Sequence, residues 1–179
     1  MNRKLAIVLR GAPATGKTTV SNALRQHYGL SKSALVVFDD GWGHGEKRFS
    51  GPSRYGDLSG QPEVLIIELG YGEPAGEGFP GATRNPREWI SNLENDGREV
   101  FFFLLHVDKS ECLLRVAARG NLSPEYAAMA WDRYAPCAVC SSAAFTSRIG
   151  NSYSEATIST KDKDLTATVK QILDTVGAV

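Results

Sequence analysis

The sequence predicts one α/β domain built on a parallel sheet with helices on both faces. Short apolar runs alternate along the chain with segments of helical periodicity, which is the pattern of βαβ units. The runs are continuously apolar, as expected of strands that are buried on both faces. No internal repeat or linker divides the 179 residues, so we predict a single domain over residues 1–179.

The first half of the chain contains three predicted strands and one helix. The helix is indicated by an apolar stripe that includes Val20 and Leu24, and Gly29 is well placed to end it. In order, the elements are a strand at Leu5–Leu9, a helix at Gly16–Tyr28, and strands at Ala34–Phe38 and Val64–Leu69.

The second half contains four predicted helices and two strands. Asp108, with Glu111 three residues later, forms a capping box at the start of one helix, and Pro86 and Pro124 suit the first helical position of two others. In order, the elements are a helix from Pro86 to about Asp96, a strand at Val100–Val107, helices after Asp108 to Gly120 and from Ser123 to about Tyr134, a strand at Ala156–Ser159 and an amphipathic helix from Leu165 to Val176.

The composition excludes several classes of protein. With 20 Lys+Arg against 20 Asp+Glu the net charge is zero, which argues against broad, sequence-blind coating of nucleic acid. No apolar run is long enough to span a bilayer, and the N-terminus lacks a signal-peptide pattern. The three cysteines, an odd number without framework spacing, fit a reducing compartment, so we expect a cytoplasmic protein without a membrane partner. For Cys137 and Cys140 ordinary packing is favoured over a metal or redox role.

The most specific motif is a glycine loop between the first strand and the first helix. Residues 11–18 match G-x-x-x-x-G-K-[ST], and in this context their backbone N–H groups and the helix N-terminus bind phosphate oxygens. Lys17 can reach the β- and γ-phosphates, and the Thr18 hydroxyl can ligate Mg²⁺. The predicted nucleotide-binding residues are Gly11, Ala12, Pro13, Ala14, Thr15, Gly16, Lys17, Thr18 and Thr19.

With this loop, the chain resembles the P-loop kinases, the group that includes adenylate kinase, shikimate kinase, chloramphenicol phosphotransferase, zeta toxins and phage-type polynucleotide kinase. The resemblance implies a three-layer α/β/α fold with a five-stranded parallel sheet in the order 2-3-1-4-5. It also implies ATP and Mg²⁺ as cofactors, and a lid over about residues 115–136 that carries arginines.

Acidic residues end the second and third predicted strands, where ligands bind in open parallel sheets. A carboxylate there can take the proton of an attacking hydroxyl. By its match to polynucleotide kinase, Asp39 is the candidate base. Asp40, also on the acceptor side, is the alternative base, and solvated turn residues are the alternative for both. Glu68 suits either the Mg²⁺ shell, with Thr18, or contact with the acceptor.

Two arginines, Arg115 and Arg119, lie four residues apart and therefore on one helix face. Their spacing resembles the R-x-x-x-R of the kinase lid, which implies that one neutralises the transferring phosphate and the other covers the adenine or the inner phosphates; a solvated helix face is the alternative. Arg133 is a weaker candidate. Thr160, after the last strand, matches the position where related kinases enclose the adenine.

The acceptor side of the site is rich in glycine, with 11 of the 18 glycines between Gly41 and Gly81. The two loops, 41–62 and 70–84, have no helical period, unlike the acceptor-binding insert of nucleoside monophosphate kinases. Arg48 and Arg54 lie there among aromatic residues. Such a mixture could stack on a base and pair with phosphate, line a small-molecule pocket or contact a second subunit.

The predicted function is ATP-dependent transfer of the γ-phosphate to a hydroxyl of a small molecule, namely a metabolite, nucleoside or antibiotic. One alternative acceptor is a polynucleotide 5′-hydroxyl, which makes nucleic acid an alternative partner. A second alternative is a nucleotide-dependent switch or assembly ATPase without an acceptor. A homo-oligomer is compatible with all three.

Overall fold

The computed structural model describes residues 3–30, 35–38, 61–69, 86–120, 122–134, 146, 150 and 152–177. Within these residues the chain forms five strands and five helices. The strands are β1 (Leu5–Arg10), β2 (Leu35–Phe38), β3 (Val64–Leu69), β4 (Glu99–His106) and β5 (Glu155–Ser159). The helices are α1 (Lys17–His27), α2 (Pro86–Asn95), α3 (Lys109–Arg119), α4 (Pro124–Tyr134) and α5 (Leu165–Val176). Their order along the chain is β1-α1-β2-β3-α2-β4-α3-α4-β5-α5.

The strands form one parallel sheet in the order β2-β3-β1-β4-β5. β1 lies at the centre, with Leu5 paired to Val64 of β3 on one side and to Glu99 of β4 on the other. All six residues of β1 are buried. The segment that follows β1 therefore leaves from the middle of the carboxyl edge of the sheet, where parallel α/β proteins bind their ligands.

Helices cover both faces of the sheet. On one face, Leu5, Ile7 and Leu9 of β1 share a core cluster with residues of α1 and α5, among them Leu24 and Ile172. On the other face, the alternate β1 residues Ala6 and Val8 pack in a cluster with Ile90 and Leu93 of α2. The predicted α/β class, with a parallel sheet between two helical layers, is confirmed.

The helix ends are formed as their capping residues predict. The Asp108 carboxylate accepts a hydrogen bond of 2.9 Å from the Glu111 N–H, and α3 ends at Gly120 in the left-handed conformation. Gly29 and Gly97 also take positive φ just after α1 and α2. Element bounds differ from the prediction by one or two residues; for example, β4 begins at Glu99. Among the described residues, no helix is both long and apolar enough to cross a membrane.

Candidate active site

The glycine loop, residues 11–16, connects the central strand β1 to α1. Gly11 and Gly16 have φ of 149° and 95°, values that L side chains rarely adopt. Gly16 is the N-cap of α1 and has no side chain to accept hydrogen bonds from the first turn, and that turn contains no acidic residue. A helix N-terminus of this kind attracts anions through its N–H groups and the helix dipole.

Gly11 is required by close packing as well as by its backbone angles. A Cβ atom at this position would lie 2.3 Å from the Leu105 carbonyl oxygen of β4 and 2.9 Å from Thr15 Oγ1. The Thr15 hydroxyl in turn donates to the Ala12 carbonyl at 2.9 Å. The start of the loop is therefore pressed against the neighbouring strand and closed by its own hydrogen bonds.

Ala14 takes a left-handed conformation, with φ of 61°, at a position in the loop where glycine would be unstrained. For an L-residue this conformation costs about 1–2 kcal/mol. Its methyl group is buried in a small cluster with Val116 of α3 and Ala127 of α4. The methyl contact offsets part of the strain and attaches the loop to the α3–α4 pair.

The Lys17 ammonium lies over the loop itself. Its Nζ donates to the Gly11 carbonyl at 2.7 Å and to the Ala12 carbonyl at 3.0 Å. Lys17 is the first residue of α1, so its charge adds to the positive end of the helix. The predicted combination of loop amides, helix terminus and lysine is present, and it suits a polyphosphate chain.

Thr18 and Glu68 meet at the carboxyl edge of the sheet. The Thr18 hydroxyl donates to Glu68 Oε2 at 2.8 Å, and the Ser21 hydroxyl, one helical turn further on, hydrogen-bonds Glu68 Oε1. Glu68 is 6% exposed, so these two hydroxyls stabilise a buried carboxylate that would otherwise be costly.

The hydroxyl–carboxylate pair fits Mg²⁺. Both groups are hard oxygen donors, and Mg²⁺ is commonly held by one or two such groups together with phosphate oxygens and water. No group of three or more His, Cys, Asp or Glu side chains with metal-binding geometry occurs in the part of the chain that the structure describes. Phosphate oxygens of a bound nucleotide and water molecules would complete the shell of a cation held by this pair.

Arg115 faces the loop, and its guanidinium bonds to protein atoms. Nε donates to Glu111 Oε1 at 2.6 Å and Nη2 donates to the Thr160 carbonyl at 2.7 Å. Nη1 lies 3.3 Å from Thr160 Oγ1 and 3.4 Å from the Ala14 carbonyl. Arg119, one turn later, is exposed at the end of α3.

Thr160 is buried between α3 and the loop. It is 8% exposed, and its hydroxyl donates to the Thr15 carbonyl at 2.9 Å. The next residue, Lys161, forms an ion pair of 2.6 Å with Asp108, the N-cap of α3. This ion pair and two hydrogen bonds hold the pKa of the Asp108 carboxyl well below its usual range.

The structure thus brings together many of the predicted residues. The loop, Lys17, the Thr18–Glu68 pair, Arg115 and Thr160 surround one region at the carboxyl edge of the sheet, and Thr19 is exposed in the first turn of α1. Other predicted positions lie outside the described residues: Asp39, Asp40, Arg48, Arg54, Cys137, Cys140 and the loops 41–60 and 70–84. The side chain of Arg133 is also outside them.

One contributor to the region, Ser21, and one buried ion pair elsewhere in the sheet were not predicted from sequence. Ser21 could have been found because it lies three residues after Thr18 and therefore on the same helix face. Arg10 and Glu155, whose side chains are 1% and 0% exposed, form a bidentate ion pair with two contacts of 2.7 Å. Their pairing spans β4 and depends on sheet order, so no local sequence signal reveals it.

Cys112 supports the apex of the loop from α3. Its thiol donates to the Pro13 carbonyl, with 3.2 Å between sulfur and oxygen, and burial raises the pKa of the thiol. The raised pKa favours the neutral thiol, which is the form that donates this hydrogen bond.

Comparison with known proteins gives structural relatives only. No protein-family model matches the sequence, and no curated protein matches it. Polyphosphate kinase 2 from Arthrobacter aurescens TC1 is similar with a TM-score of 0.63 and 14% identity, over 98% of this chain and 68% of that one. Deoxyadenosine kinase from M. mycoides with bound dATP is similar with a TM-score of 0.52 and 13% identity, over 97% of this chain and 100% of that one.

These similarities show that the chain has the fold of the P-loop kinases. The two relatives are by name a deoxyadenosine kinase and a polyphosphate kinase, and at 13% and 14% identity their likeness to this chain is one of fold.

Proposed function

We propose that this chain is an ATP- and Mg²⁺-dependent kinase that transfers the γ-phosphoryl group to a hydroxyl of a small molecule. The observation that carries the proposal is the anion-binding loop, with Lys17 over it, beside the Thr18–Glu68 pair. The loop and Lys17 suit a polyphosphate chain, and the Thr18–Glu68 pair suits the cation that accompanies it.

The residues divide the work as follows. The loop amides and Lys17 bind the β- and γ-phosphates, while Thr18 and Glu68 hold Mg²⁺, which neutralises charge on the phosphate oxygens when bound. Arg115 and Arg119 add positive charge on α3, and we assign to Arg119 the neutralisation of the transferring phosphate. The segment at Thr160 lies on the side of the adenine.

The acceptor hydroxyl is activated by Asp39. β2 ends at Phe38, which is in register with Leu69 of β3. The chain therefore leaves β2 next to the end of β3, one residue beyond Glu68. In the reaction the acceptor oxygen bonds to the γ-phosphorus, the bond from that phosphorus to the bridging oxygen breaks, and ADP departs with the electron pair. The acceptor proton passes to the Asp39 carboxylate, with Asp40, Arg48 and Arg54 on the acceptor side.

Among small molecules, a nucleoside is the first acceptor to test, because a nucleoside kinase with this fold covers nearly the whole chain. A polynucleotide 5′-hydroxyl and the acceptor-free switch remain alternatives, and cytoplasmic location and oligomeric state stay predictions.

The experiment is a transfer assay with γ-labelled ATP and a panel of acceptors. The panel contains nucleosides, deoxynucleosides, sugars, aminocyclitol and phenicol antibiotics, and oligonucleotides with 5′-hydroxyls; polyphosphate serves as a second donor. A labelled small-molecule product, lost in Lys17→Met and in Asp39→Asn, supports the proposal. A labelled oligonucleotide alone supports the first alternative, and hydrolysis that no acceptor accelerates supports the switch.

A further inference from the structure

The guanidinium of Arg115 is largely committed to protein acceptors. An arginine carries five N–H donors, and those on Nε, Nη1 and Nη2 of Arg115 are directed at Glu111, Ala14 and Thr160. An arginine that neutralises a transferring phosphate needs paired N–H groups aimed at the phosphate oxygens. In Arg115 such a pair is already directed at Thr160, the Oγ1 from Nη1 and the carbonyl from Nη2.

Thr160 uses all of its polar atoms in the same network. Its N–H donates to the His106 carbonyl at 2.9 Å, its hydroxyl bonds the Thr15 carbonyl and Arg115, and its carbonyl accepts from Arg115. At 8% exposure the side chain lies beneath the surface that a nucleotide would touch. Its hydroxyl therefore links the segment after β5 to the glycine loop and does not read a base.

A second contact joins the same two regions to α3. Lys161, the residue after Thr160, pairs with Asp108 at the N-cap of α3, while Arg115 and Val116 of that helix contact Ala14. α3 is therefore attached to the segment after β5 at its N-terminus and about two turns later. The glycine loop is attached at the second of these points, through Ala14.

We propose that Arg115 and Thr160 are positioning residues that fix the glycine loop and the segment after β5 as one unit, so that the phosphates and the base of a nucleotide are bound cooperatively. This inference rests on the proposed nucleotide function of the site. A planar fork is required, because one guanidinium must bond a hydroxyl and a carbonyl of Thr160 together; a lysine ammonium cannot do so in the same plane.

The test compares MgATP with magnesium tripolyphosphate, which has the same phosphates and no base. Titration calorimetry measures both dissociation constants. The dissociation constant of tripolyphosphate divided by that of MgATP gives the contribution of the nucleoside to binding. For Arg115→Met we expect MgATP affinity to fall about tenfold and tripolyphosphate affinity by less than about threefold, so the ratio falls. A direct phosphate contact predicts instead an equal loss for both ligands, and that result would overturn the proposal.

Three further variants make the test specific. Arg119→Met, on the same helix, should leave the ratio unchanged, and so should Lys170→Met, which breaks an exposed ion pair on α5. Thr160→Val should lower the ratio, whereas Thr160→Ser, which keeps the hydroxyl, should have the ratio of the wild type. Arg115→Met combined with Thr160→Val should cost at least about threefold less than the product of the single effects, as expected of residues in one network.

The outcomes separate the two proposals. If Arg115→Met does not fold, Arg115→Lys takes its place and should show the same fall in the ratio. Fully additive single effects, or a wild-type protein that binds MgATP no more tightly than tripolyphosphate, would contradict the coupling. Loss of transfer to every acceptor with the coupling intact would contradict the kinase proposal alone.

Discussion

Replacing Gly11 with alanine tests the geometry of the glycine loop directly. The added Cβ would lie 2.3 Å from the Leu105 carbonyl oxygen, well inside van der Waals contact, and the obstructing atom belongs to the backbone of β4. Relief therefore requires the loop to move away from the sheet. The φ of 149° adds conformational strain for any residue with a side chain.

The expected cost follows from these two effects. Backbone strain contributes about 1–3 kcal/mol and forced overpacking about 1–3 kcal/mol. Alanine also lowers the conformational entropy of the unfolded chain, which raises the free energy of unfolding by about 0.4–1 kcal/mol. We therefore expect Gly11→Ala to lower the free energy of unfolding by about 2–5 kcal/mol and to weaken nucleotide binding, because the loop amides are displaced.

Gly29 provides a matched control. It has φ of 64°, and a Cβ there would meet nothing within 4 Å. Gly29→Ala should cost about 1 kcal/mol and leave nucleotide affinity unchanged. Urea denaturation and calorimetric titration with MgATP measure both properties. If Gly11→Ala were as stable as Gly29→Ala and bound MgATP normally, the close approach of the loop to β4 would be refuted.

The remaining predictions concern charge at the site. Lys17→Met should lower the rate of phosphoryl transfer by about 10²–10³ in single-turnover assays, since one charged donor to the transition state is lost; a rate within threefold of the wild type would contradict its role. Glu68→Gln should raise the Mg²⁺ concentration that half-saturates MgATP binding by about 10–100-fold, and Ser21→Ala, which removes one hydroxyl from the same carboxylate, should raise it less; identical Mg²⁺ titrations would exclude a metal role. Because Lys161 and the helix N-terminus lower the pKa of Asp108, that carboxylate stabilises the fold at pH values above about 4, its unfolded pKa, and loses this effect as pH falls through the lower folded pKa. The stability difference between the wild type and Asp108→Asn should therefore shrink on acidification in urea denaturation, and a difference that does not vary with pH would contradict this assignment.

The fold could be predicted because its signals are local. The apolar run Leu5–Leu9, the glycine loop and the stripe on α1 each lie within a few residues, and together they define a strand–loop–helix unit. Asp108 and Glu111 likewise predicted the start of α3 from their spacing alone. The strand order was not a local property and came from resemblance.

The parts of the site that sequence did not supply depend on tertiary placement. Their spacing predicted that Arg115 and Arg119 lie on one helix face. It could not show that Arg115 hydrogen-bonds Thr160, which follows β5. The buried Arg10–Glu155 pair, which lies outside the site, could not be predicted for the same reason, because its partners are on β1 and β5 with β4 between them. Where bonding partners are distant in sequence, side-chain type indicates a range of roles and only geometry selects among them.

The central position of β1 also governs when the site can form during synthesis. β1 leaves the ribosome well before its partners on both sides, β3 and β4, and the loop after it rests on Leu105. Until residue 106 has been synthesised, β1, whose six residues are buried in the folded protein, lacks its complete set of neighbouring strands. Such late, non-local pairing slows folding and exposes nascent chains to aggregation. Nascent chains that stop before β4 should therefore engage chaperones and bind no nucleotide.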